Sequence, residues 1–364
     1  MRVALVYDRV NKWGGAERVL LALQKLFPQS DLFTSVYDKK GAFWAKKFNK
    51  ITSSFLQKIP YAKKTHELFA VFMPLSFEQF SFDGYDLVIS VTSEAAKGII
   101  TKPGTRHVCI CLTPTRYLWS GYKDYFNNPI LRFIAKPLIS YLREWDRIAS
   151  MRPDSYIAIS ETVQKRIKRY YDRPSILINP PLTLDLPMLS LKKKRKNPKG
   201  YFLIVSRLVA YKRIDLAVLA ANELSFPLII IGEGSEAAHL KSIAGPTVQF
   251  LGRVSDEKLV YYYDNCIAFL FPGKEDFGLT MVEAQGCGKP VVAYKKGGAR
   301  EIIIEGATGE FFEEQTVESL VGLLKRFNSA DYNTIACMRN AKRFSYDVFS
   351  RKITKFLKKE KIIV

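Results

Sequence analysis

Short apolar runs alternate with longer amphipathic stretches along the whole chain. The apolar runs predict buried strands, and the stretches with apolar residues three and four apart predict helices. The predicted strands are 3–7, 87–91, 107–111, 155–159, 175–178, 201–205, 228–231, 248–250, 267–271 and 290–293. The predicted helices include 16–26, 161–171, 214–224, 256–265 and 281–287. Strands that alternate with helices indicate parallel sheets with right-handed crossovers.

The length and one basic segment predict how the chain divides. Single cores stop growing beyond roughly 250–300 residues, so 364 residues predict two domains. Residues 183–200 contain a lysine- and arginine-rich block that ends in proline and glycine, which is typical of a solvated linker. We therefore expect an N-terminal domain over 1–182 and a C-terminal domain over 201–345. A basic helix over 346–364 is expected to pack back on the N-terminal domain.

Composition and charge narrow the class of protein. Hydrophobic residues make up 48% and charged residues 25%, which excludes general disorder. The net charge of +21 favours a phosphate-rich partner, namely nucleic acid, an anionic membrane surface or a phosphate-bearing substrate, and composition leaves these open. Five scattered cysteines and three histidines have no zinc spacing, so reduced thiols in a cytosol are expected. No run approaches the ~20 apolar residues of a membrane span.

Residues 117–151 combine aromatic and basic side chains. Aromatic rings mixed with cations suit a membrane interface, where rings lie at headgroup depth and cations meet lipid phosphates. The same mixture suits sugar stacking or single-stranded nucleic acid. The alternative is a set of amphipathic helices that pack on the domain core.

An acidic segment follows the predicted strand 267–271. Glu275 lies in the loop, Gly278 permits a tight turn, and a helix is predicted to start near Thr280 with Glu283 on its first turn. Free N–H groups at a helix start bind phosphate, and an acidic residue binds ribose hydroxyls in dinucleotide folds. The segment therefore predicts a diphosphate site between two carboxylates. The alternative is that Glu283 complements the helix dipole and Glu275 is solvated.

Two cations follow the first predicted strand of the second half. Arg207 and Lys212 would lie at a carboxyl strand end, where ligands of open parallel sheets bind. Fixed cations there stabilise the charge that grows on a departing nucleoside diphosphate. The alternative is a surface salt-bridge cluster with Asp215. Gly14 and Gly15 follow the first strand and permit close approach of a ligand, although ordinary strand-to-helix turns also use glycine.

These motifs occur in the order found in one known family. The chain resembles the fourth family of retaining glycosyltransferases over nearly its whole length, through the paired glycines, the two cations, and the two glutamates with seven residues between them. A narrower likeness is to bacterial GDP-mannose-dependent mannosyltransferases of O-antigen and exopolysaccharide assembly. It rests on segments 113–119, 145–148, 211–215 and 250–256. The resemblance implies an α/β GT-B fold, with two Rossmann-like domains whose parallel sheets face each other across a cleft.

The resemblance also implies residue roles. The implied catalytic residues are Arg207 and Lys212 on the donor diphosphate and Glu275 on the transferred sugar. The implied donor-binding residues are Gly14, Gly15, Arg253, Val254, Phe277, Gly278, Leu279 and Glu283, with Arg253 and Val254 framing the base and Glu283 holding the ribose. The candidate acceptor-side residues are His107, Thr113, Arg116, Tyr117 and Trp119. No metal or other cofactor is expected, because fixed cations and a helix start can do the work of magnesium.

We therefore expect a retaining transferase that moves a hexose, mannose from GDP-mannose, to a saccharide or polyprenyl-diphosphate-linked saccharide. It is expected in the cytoplasm, peripheral at the inner face of the cell membrane. A UDP-sugar donor, a nucleic-acid-binding protein and an inactive sugar-nucleotide-binding relative remain alternatives. The inactive relative is an alternative because Leu112 stands where relatives usually have histidine, directly before Thr113 and Pro114. His107 lies in the preceding strand, where a histidine with a structural partner is the alternative to an acceptor-side group.

Overall fold

The chain forms two compact units. The computed structural model describes residues 1–63, 66–126, 128–184 and 200–363. Unit 1 comprises Met1–Pro181 and Phe349–Val364, and unit 2 comprises Leu182–Val348. Most of the predicted linker 183–200, namely residues 185–199, lies outside the described residues.

Unit 1 contains a parallel sheet in the order β3-β2-β1-β4-β5-β6-β7. Its strands are β1 (Val3–Tyr7), β2 (Asp31–Thr34), β3 (Ile51–Ser53), β4 (Leu87–Thr92), β5 (Arg106–Cys111), β6 (Ser155–Ala158) and β7 (Ile176–Leu177). The helices within its first 181 residues are α1 (Gly15–Leu26), α2 (Met73–Glu78), α3 (Tyr122–Tyr125), α4 (Pro129–Ser150) and α5 (Glu161–Tyr171).

Unit 2 contains a second parallel sheet in the order β10-β9-β8-β11-β12-β13. Its strands are β8 (Phe202–Val205), β9 (Leu228–Ile231), β10 (Val248–Gly252), β11 (Ala268–Phe271), β12 (Val291–Tyr294) and β13 (Gly309–Phe312). The helices that follow them are α6 (Ile214–Leu224), α7 (Ala237–Ser242), α8 (Asp256–Asn265), α9 (Leu279–Gly286), α10 (Ala299–Ile302), α11 (Val317–Leu324) and α12 (Thr334–Lys342). The last helix, α13 (Tyr346–Lys359), runs from unit 2 into unit 1.

The burial of the strands explains the apolar runs in the sequence. Strands β1, β4 and β11 are buried at every position, as expected for parallel strands that are covered on both faces. Side-chain caps define several helix starts: Ser160 accepts from the Val163 N–H at α5, and Thr316 accepts from the Ser319 N–H at α11. All five cysteines are buried thiols. None of the helices in the described ranges has the length and apolar content that a bilayer crossing requires.

In each sheet the order in which the strands follow one another along the chain reverses at a central strand. In unit 1 β1 pairs with β2 on one side and β4 on the other, and in unit 2 β8 pairs with β9 and β11. This is the Rossmann order, in which ligands bind outside the carboxyl ends of the strands at the switch point. The prediction of two Rossmann-like parallel α/β domains is therefore confirmed. Strands β2, β3 and β13 were not among the strands that the sequence predicts.

Candidate active site

Lys212 and Glu275 form an ion pair at the switch point of unit 2. Lys212 ends the 3-10 turn Ala210–Lys212 after β8, and Glu275 lies in the loop after the neighbouring strand β11. The Lys212 Nζ contacts Glu275 Oε1, and the two side chains are 13% and 17% exposed. Glu275 is therefore not the solvated residue of the alternative interpretation. The pair presents a cation and a hydrogen-bond acceptor together at the edge where this fold binds ligands.

Close backbone contacts hold the loops of this pair together. A Cβ on Gly273 would lie 2.8 Å from the Lys212 carbonyl oxygen, and a Cβ on Gly298 would lie 2.2 Å from the Phe277 carbonyl oxygen. The Gly298 N–H also donates to the Glu275 carbonyl at 2.9 Å. The loops after β8, β11 and β12 therefore touch through their backbones, and only glycine leaves room for this approach.

A helix start lies next to the ion pair. Gly278 precedes α9 with a φ of 104°, a left-handed conformation that favours glycine, and no side chain caps the helix. The N–H groups of the first turn of α9 are thus presented as an anion site. Phe277 is buried and packs its ring edge-on against Phe344 at 5.4 Å, so Phe277 faces this region through its backbone. Because α9 begins at Leu279, Glu283 lies on its second turn and not on its first as predicted.

Two further charged donor-site candidates, Glu283 and Arg207, have different surroundings. Glu283 is only 3% exposed, and its Oε2 accepts a hydrogen bond of 2.8 Å from the Tyr263 hydroxyl on α8. Arg207 is exposed, and its Nη2 donates to the Tyr211 hydroxyl at 2.7 Å. Asp215 pairs with Arg213, the residue after Lys212. The salt bridge of the alternative interpretation is therefore present at Arg213.

The turns after β9 and β10 continue the same edge. The Gly232 N–H donates to the Gly252 carbonyl at 2.9 Å, and a Cβ on Gly232 would lie 1.8 Å from the Ser206 carbonyl oxygen. Arg253 is exposed and Val254 half-buried directly after β10. The structure therefore places the predicted base-side residues on a turn that is connected, through Gly232, to the loop that carries Arg207.

Unit 1 has a similar pair at its own switch point. Arg9 lies two residues after β1 ends at Tyr7, Glu94 lies two residues after β4 ends at Thr92, and their side chains form a 2.9 Å ion pair. The Tyr117 hydroxyl donates to Glu94 at 3.0 Å. Burial raises the pKa of Glu94, although Arg9 acts in the opposite direction. Sequence reasoning missed Arg9 and Glu94, but the signal was available, since both follow predicted strands that end at the ligand edge.

The paired glycines of unit 1 start α1. Gly14 precedes the helix and Gly15 is its first residue. Glu17 in the first turn is buried, and it accepts a hydrogen bond of 2.7 Å from the Tyr7 hydroxyl. A Cβ on Gly14 would lie 3.0 Å from the Glu17 carboxylate. This carboxylate already complements the helix start, so a phosphate at Gly15 would meet a negative neighbour.

A buried aspartate holds the segment that contains the candidate acceptor-side residues. Asp146 accepts hydrogen bonds from Thr115 (2.9 Å), Trp119 (2.7 Å) and Tyr171 (2.8 Å), and it forms a 2.5 Å ion pair with Lys97. Burial alone would lower the pKa of Lys97, but the pair with Asp146 outweighs burial and raises it. The segment is therefore fixed by a charged pair that sequence reasoning did not assign to the site.

The other acceptor-side candidates divide into two groups. Arg166 donates to the Thr113 hydroxyl at 3.2 Å, and Arg116 lies half-buried between the anchored Thr115 and Tyr117. His107 lies apart from them, near the amino end of β5. Its ring is fully buried with Nε2 2.8 Å from the Ser90 hydroxyl, and burial, then Arg152, lowers its pKa to about 3. This geometry supports the structural role that the sequence left as the alternative.

Comparisons with known proteins find similarity to glycosyltransferases. Residues 189–345 match the family model described as glycosyl transferases group 1. The D-rhamnosyltransferase WbpZ of Pseudomonas aeruginosa is 29% identical over 203 residues, which are 52% of this chain and 51% of that protein. A GDP-mannose-dependent alpha-mannosyltransferase of Mycolicibacterium smegmatis is 36% identical over 107 residues, which are 29% of this chain and 28% of that protein. The chain spans about half the length of the first curated relatives it matches.

A solved structure extends the likeness to the whole chain at the level of fold. Anabaena Alr3699/HepE in complex with UDP superposes with a TM-score of 0.71 at 18% identity, covering 99% of this chain and 100% of that one. The two Rossmann-ordered sheets and this match establish the architecture. The chain thus has the GT-B fold, and its residues 189–345 are similar to group 1 glycosyl transferases.

Proposed function

We propose that the protein is a retaining glycosyltransferase that moves mannose from GDP-mannose to a saccharide or a polyprenyl-diphosphate-linked saccharide of the cell surface. The observation that carries this proposal is the Lys212–Glu275 ion pair beside the uncapped start of α9. Such a site offers a cation and helix N–H groups to a diphosphate, and a carboxylate to sugar hydroxyls. A protein that only binds polyanions needs no carboxylate at its phosphate site.

In the proposed reaction, the bond between the anomeric carbon and the donor diphosphate lengthens, and negative charge grows on the leaving phosphate. Lys212 and Arg207 stabilise that charge together with the N–H groups at the start of α9. Glu275 orients the sugar through its hydroxyl groups. The acceptor oxygen attacks from the face that the phosphate leaves, and its proton passes to a leaving phosphate oxygen. The anomeric configuration is therefore retained, and the chain's own cations take the role that a metal has elsewhere.

The name of one relative supports the choice of donor. The M. smegmatis relative is named for GDP-mannose, whereas the name of the P. aeruginosa relative gives D-rhamnose as the sugar and no nucleotide. In this chain we assign the ribose to Glu283 and the base to the turn at Arg253 and Val254. The main rival donor is a UDP-sugar, because the superposed Anabaena protein was solved with UDP.

A second candidate function rests on Leu112. Leu112 directly follows β5, its side chain is half-buried, and its backbone N–H donates to the Thr92 carbonyl at 2.8 Å. Leucine has no group that hydrogen-bonds a sugar, so a protein that binds a sugar nucleotide without transferring the sugar is the alternative. Release of GDP and mannose measured with and without acceptor separates the two.

The donor proposal is tested by thermal shift with GDP-, UDP- and ADP-sugars, because a ligand that binds the folded state raises the melting temperature. We expect the largest shift with GDP-mannose, unchanged by EDTA. Lys212→Met and Glu275→Gln should each lower the transfer rate by about 10²- to 10³-fold, a typical effect of removing one preorganised group.

The matched control is Lys325→Met. Lys325 is an exposed lysine of unit 2 that follows α11 and pairs weakly with Glu223 at 3.8 Å. This variant loses the same charge and should transfer the sugar normally. A larger shift with a UDP-sugar would replace the GDP assignment. Normal transfer by both site variants would overturn the roles of Lys212 and Glu275.

A further inference from the structure

Helix α4 has an apolar face that points away from its own unit. Ile139, Leu142 and Ala149 on one side of the helix are buried in unit 1. The opposite side carries apolar side chains with high exposed fractions: Ile130 71%, Phe133 79%, Ile134 69%, Leu138 42% and Tyr141 56%. A surface helix normally turns a polar face to water. A contiguous apolar face of this kind marks an interaction surface.

Cations lie at the edge of this outer face that Phe133 forms. A groove of about 440 Å³ is lined by Arg132, Lys136 and Arg143, with Tyr122 and Phe133 among its apolar walls. The structure fixes the two arginines in place. Arg132 donates from Nε and Nη2 to the Phe126 carbonyl at 3.0 and 2.8 Å.

The second arginine is fixed in the same way. Arg143 donates to the Leu118 carbonyl at 2.7 Å, and its guanidinium lies 4.6 Å from the Tyr122 ring centre. Lys136 is exposed beside them. Positive charge is therefore held beside Phe133, at one edge of the apolar face.

Exposed apolar side chains also lie on the segment next to α4. Trp145 of α4 donates to Glu78, the last residue of α2, at 2.8 Å. On α2 and just before it, Leu75 is 59% exposed and Phe72 is 43% exposed. The exposed apolar side chains thus come from two packed segments of one unit.

We propose that this surface, defined by Ile130, Phe133, Ile134, Leu138 and Tyr141, binds a bilayer that contains anionic phospholipid. Charge complementarity favours lipid as the occupant, since the chain carries +21 and three cations line the groove beside the face. The apolar side chains project outward from a helix, which suits insertion at the boundary between headgroups and acyl chains.

In this arrangement α4 lies in the plane of the membrane surface. Phe133 and Ile134 enter the apolar layer, while Arg132, Lys136 and Arg143 contact lipid phosphates. The inference deepens the proposed function, from which it takes a lipid-linked acceptor, and it names the part of the chain that meets the lipid.

The experiment is co-sedimentation of the full chain with vesicles, without any sugar nucleotide. One set of vesicles is phosphatidylcholine alone, and the other contains phosphatidylglycerol as well. We expect binding to the anionic vesicles that weakens as salt increases. The triple variant Ile130→Ser, Phe133→Ser, Ile134→Ser should bind at least about tenfold more weakly, because the apolar contact is lost. Lys136→Glu should weaken binding to the anionic vesicles only.

The matched control is Ile304→Ser with Ile335→Ser, which removes two apolar side chains of unit 2 that are 49% and 47% exposed. This control should bind vesicles as the unchanged protein does. Folding of every variant is checked by its melting temperature and by its thermal shift with GDP-mannose. A failed shift in the unchanged protein contradicts the proposed donor and leaves the vesicle result interpretable.

Two results would overturn the lipid assignment. One is equal vesicle binding by the triple variant and the unchanged protein. The other is self-association of the unchanged protein, measured by light scattering, that the triple variant loses while neither binds vesicles. The second result would make the face a contact between copies of the chain.

Discussion

His107 shows how burial decides what a titratable residue can do. The ring is enclosed in unit 1, with Nε2 2.8 Å from the Ser90 hydroxyl, and its pKa falls to about 3. A histidine with this pKa is neutral at physiological pH and exchanges no proton with a substrate. Glu94 lies in the same unit with a raised pKa and a partner cation, at the edge where ligands bind. Of the two, Glu94 has the surroundings of a site residue.

The low pKa of His107 predicts how stability depends on pH. In the unfolded chain the pKa is about 6.5, so between pH 6.5 and 3 the unfolded state binds the extra proton and stability falls as pH falls. Between pH 6.5 and 5 this effect is roughly 2 kcal/mol in the free energy of unfolding. His107→Gln keeps a polar group near Ser90 and should reduce that loss. Urea unfolding at several pH values measures it.

Two other residues help to assign the change in the pH dependence of stability to His107. Glu94 acts in the opposite sense, because its raised pKa favours proton uptake by the folded state. Glu94 is unchanged in the variant, so the difference in pH dependence reports on His107. His239→Gln, at an exposed position on α7, is the control and should leave the pH dependence as it is. Equal pH dependence in His107→Gln and the unchanged protein would contradict the prediction.

At the scale of elements, the sequence predicts the helices and strands whose apolar side chains recur at a regular spacing. The long amphipathic helices α5, α6 and α8 have the predicted bounds, because their apolar positions recur with helical spacing. Strand β3 was not predicted, since its three half-buried residues carry no apolar run. Strand β13 begins at a glycine and has only two consecutive apolar residues.

The contacts of the candidate site were only partly predictable. The sequence places Lys212 and Glu275 at carboxyl strand ends, and the Rossmann order makes those ends adjacent. Their direct contact depends on close backbone approach at Gly273 and Gly298, which no local pattern encodes. The Lys97–Asp146 pair joins residues from distant parts of unit 1, so it could not be deduced from spacing.

The packing of these loops predicts the effect of a single methyl group. Gly298 has an ordinary φ of −65°, so alanine would suffer no backbone strain there, yet its Cβ would lie 2.2 Å from the Phe277 carbonyl oxygen. Gly298→Ala should displace the loop of Glu275. We expect a loss of about 1–3 kcal/mol in stability and a smaller thermal shift with GDP-mannose.

A glycine in open space supplies the control for this prediction. A Cβ on Gly322 in α11 would meet nothing within 4 Å. Gly322→Ala should raise stability by about 0.5–1 kcal/mol, because alanine favours the helix, and leave the thermal shift intact. Equal donor binding by the two alanine variants would show that the loop contact does not hold the site.

At the scale of the whole molecule, the chain crosses between the two units twice. It leaves unit 1 after Pro181 and returns at Phe349. Near these crossings Leu182 and Ser345 form a parallel bridge in unit 2, and the Leu182 N–H donates to the Phe344 carbonyl at 2.7 Å. Unit 1 therefore includes residues 349–364, which lie beyond the end of the family match at residue 345.

The C-terminal helix should accordingly control the stability of unit 1. Phe349, Ile353 and Phe356 of α13 are buried, and Ser155 of β6 donates to Glu360 at 2.9 Å. Phe356→Ala leaves a cavity, and such changes cost about 3–5 kcal/mol. Hydrogen exchange read by mass spectrometry should speed up in peptides of unit 1, whereas unit 2 keeps its exchange rates and its thermal shift with GDP-mannose.

The same helix offers an exposed position as the control for this prediction. Lys352→Ala removes a side chain that faces water and should leave exchange unchanged in both units. If Phe356→Ala instead accelerates exchange throughout unit 2, the two units do not unfold separately. Unchanged exchange in unit 1 would mean that α13 adds little to its core. If the loss is confined to unit 1, a segment beyond the family match at residues 189–345 is necessary for the unit that carries the candidate acceptor-side residues and the exposed face of α4.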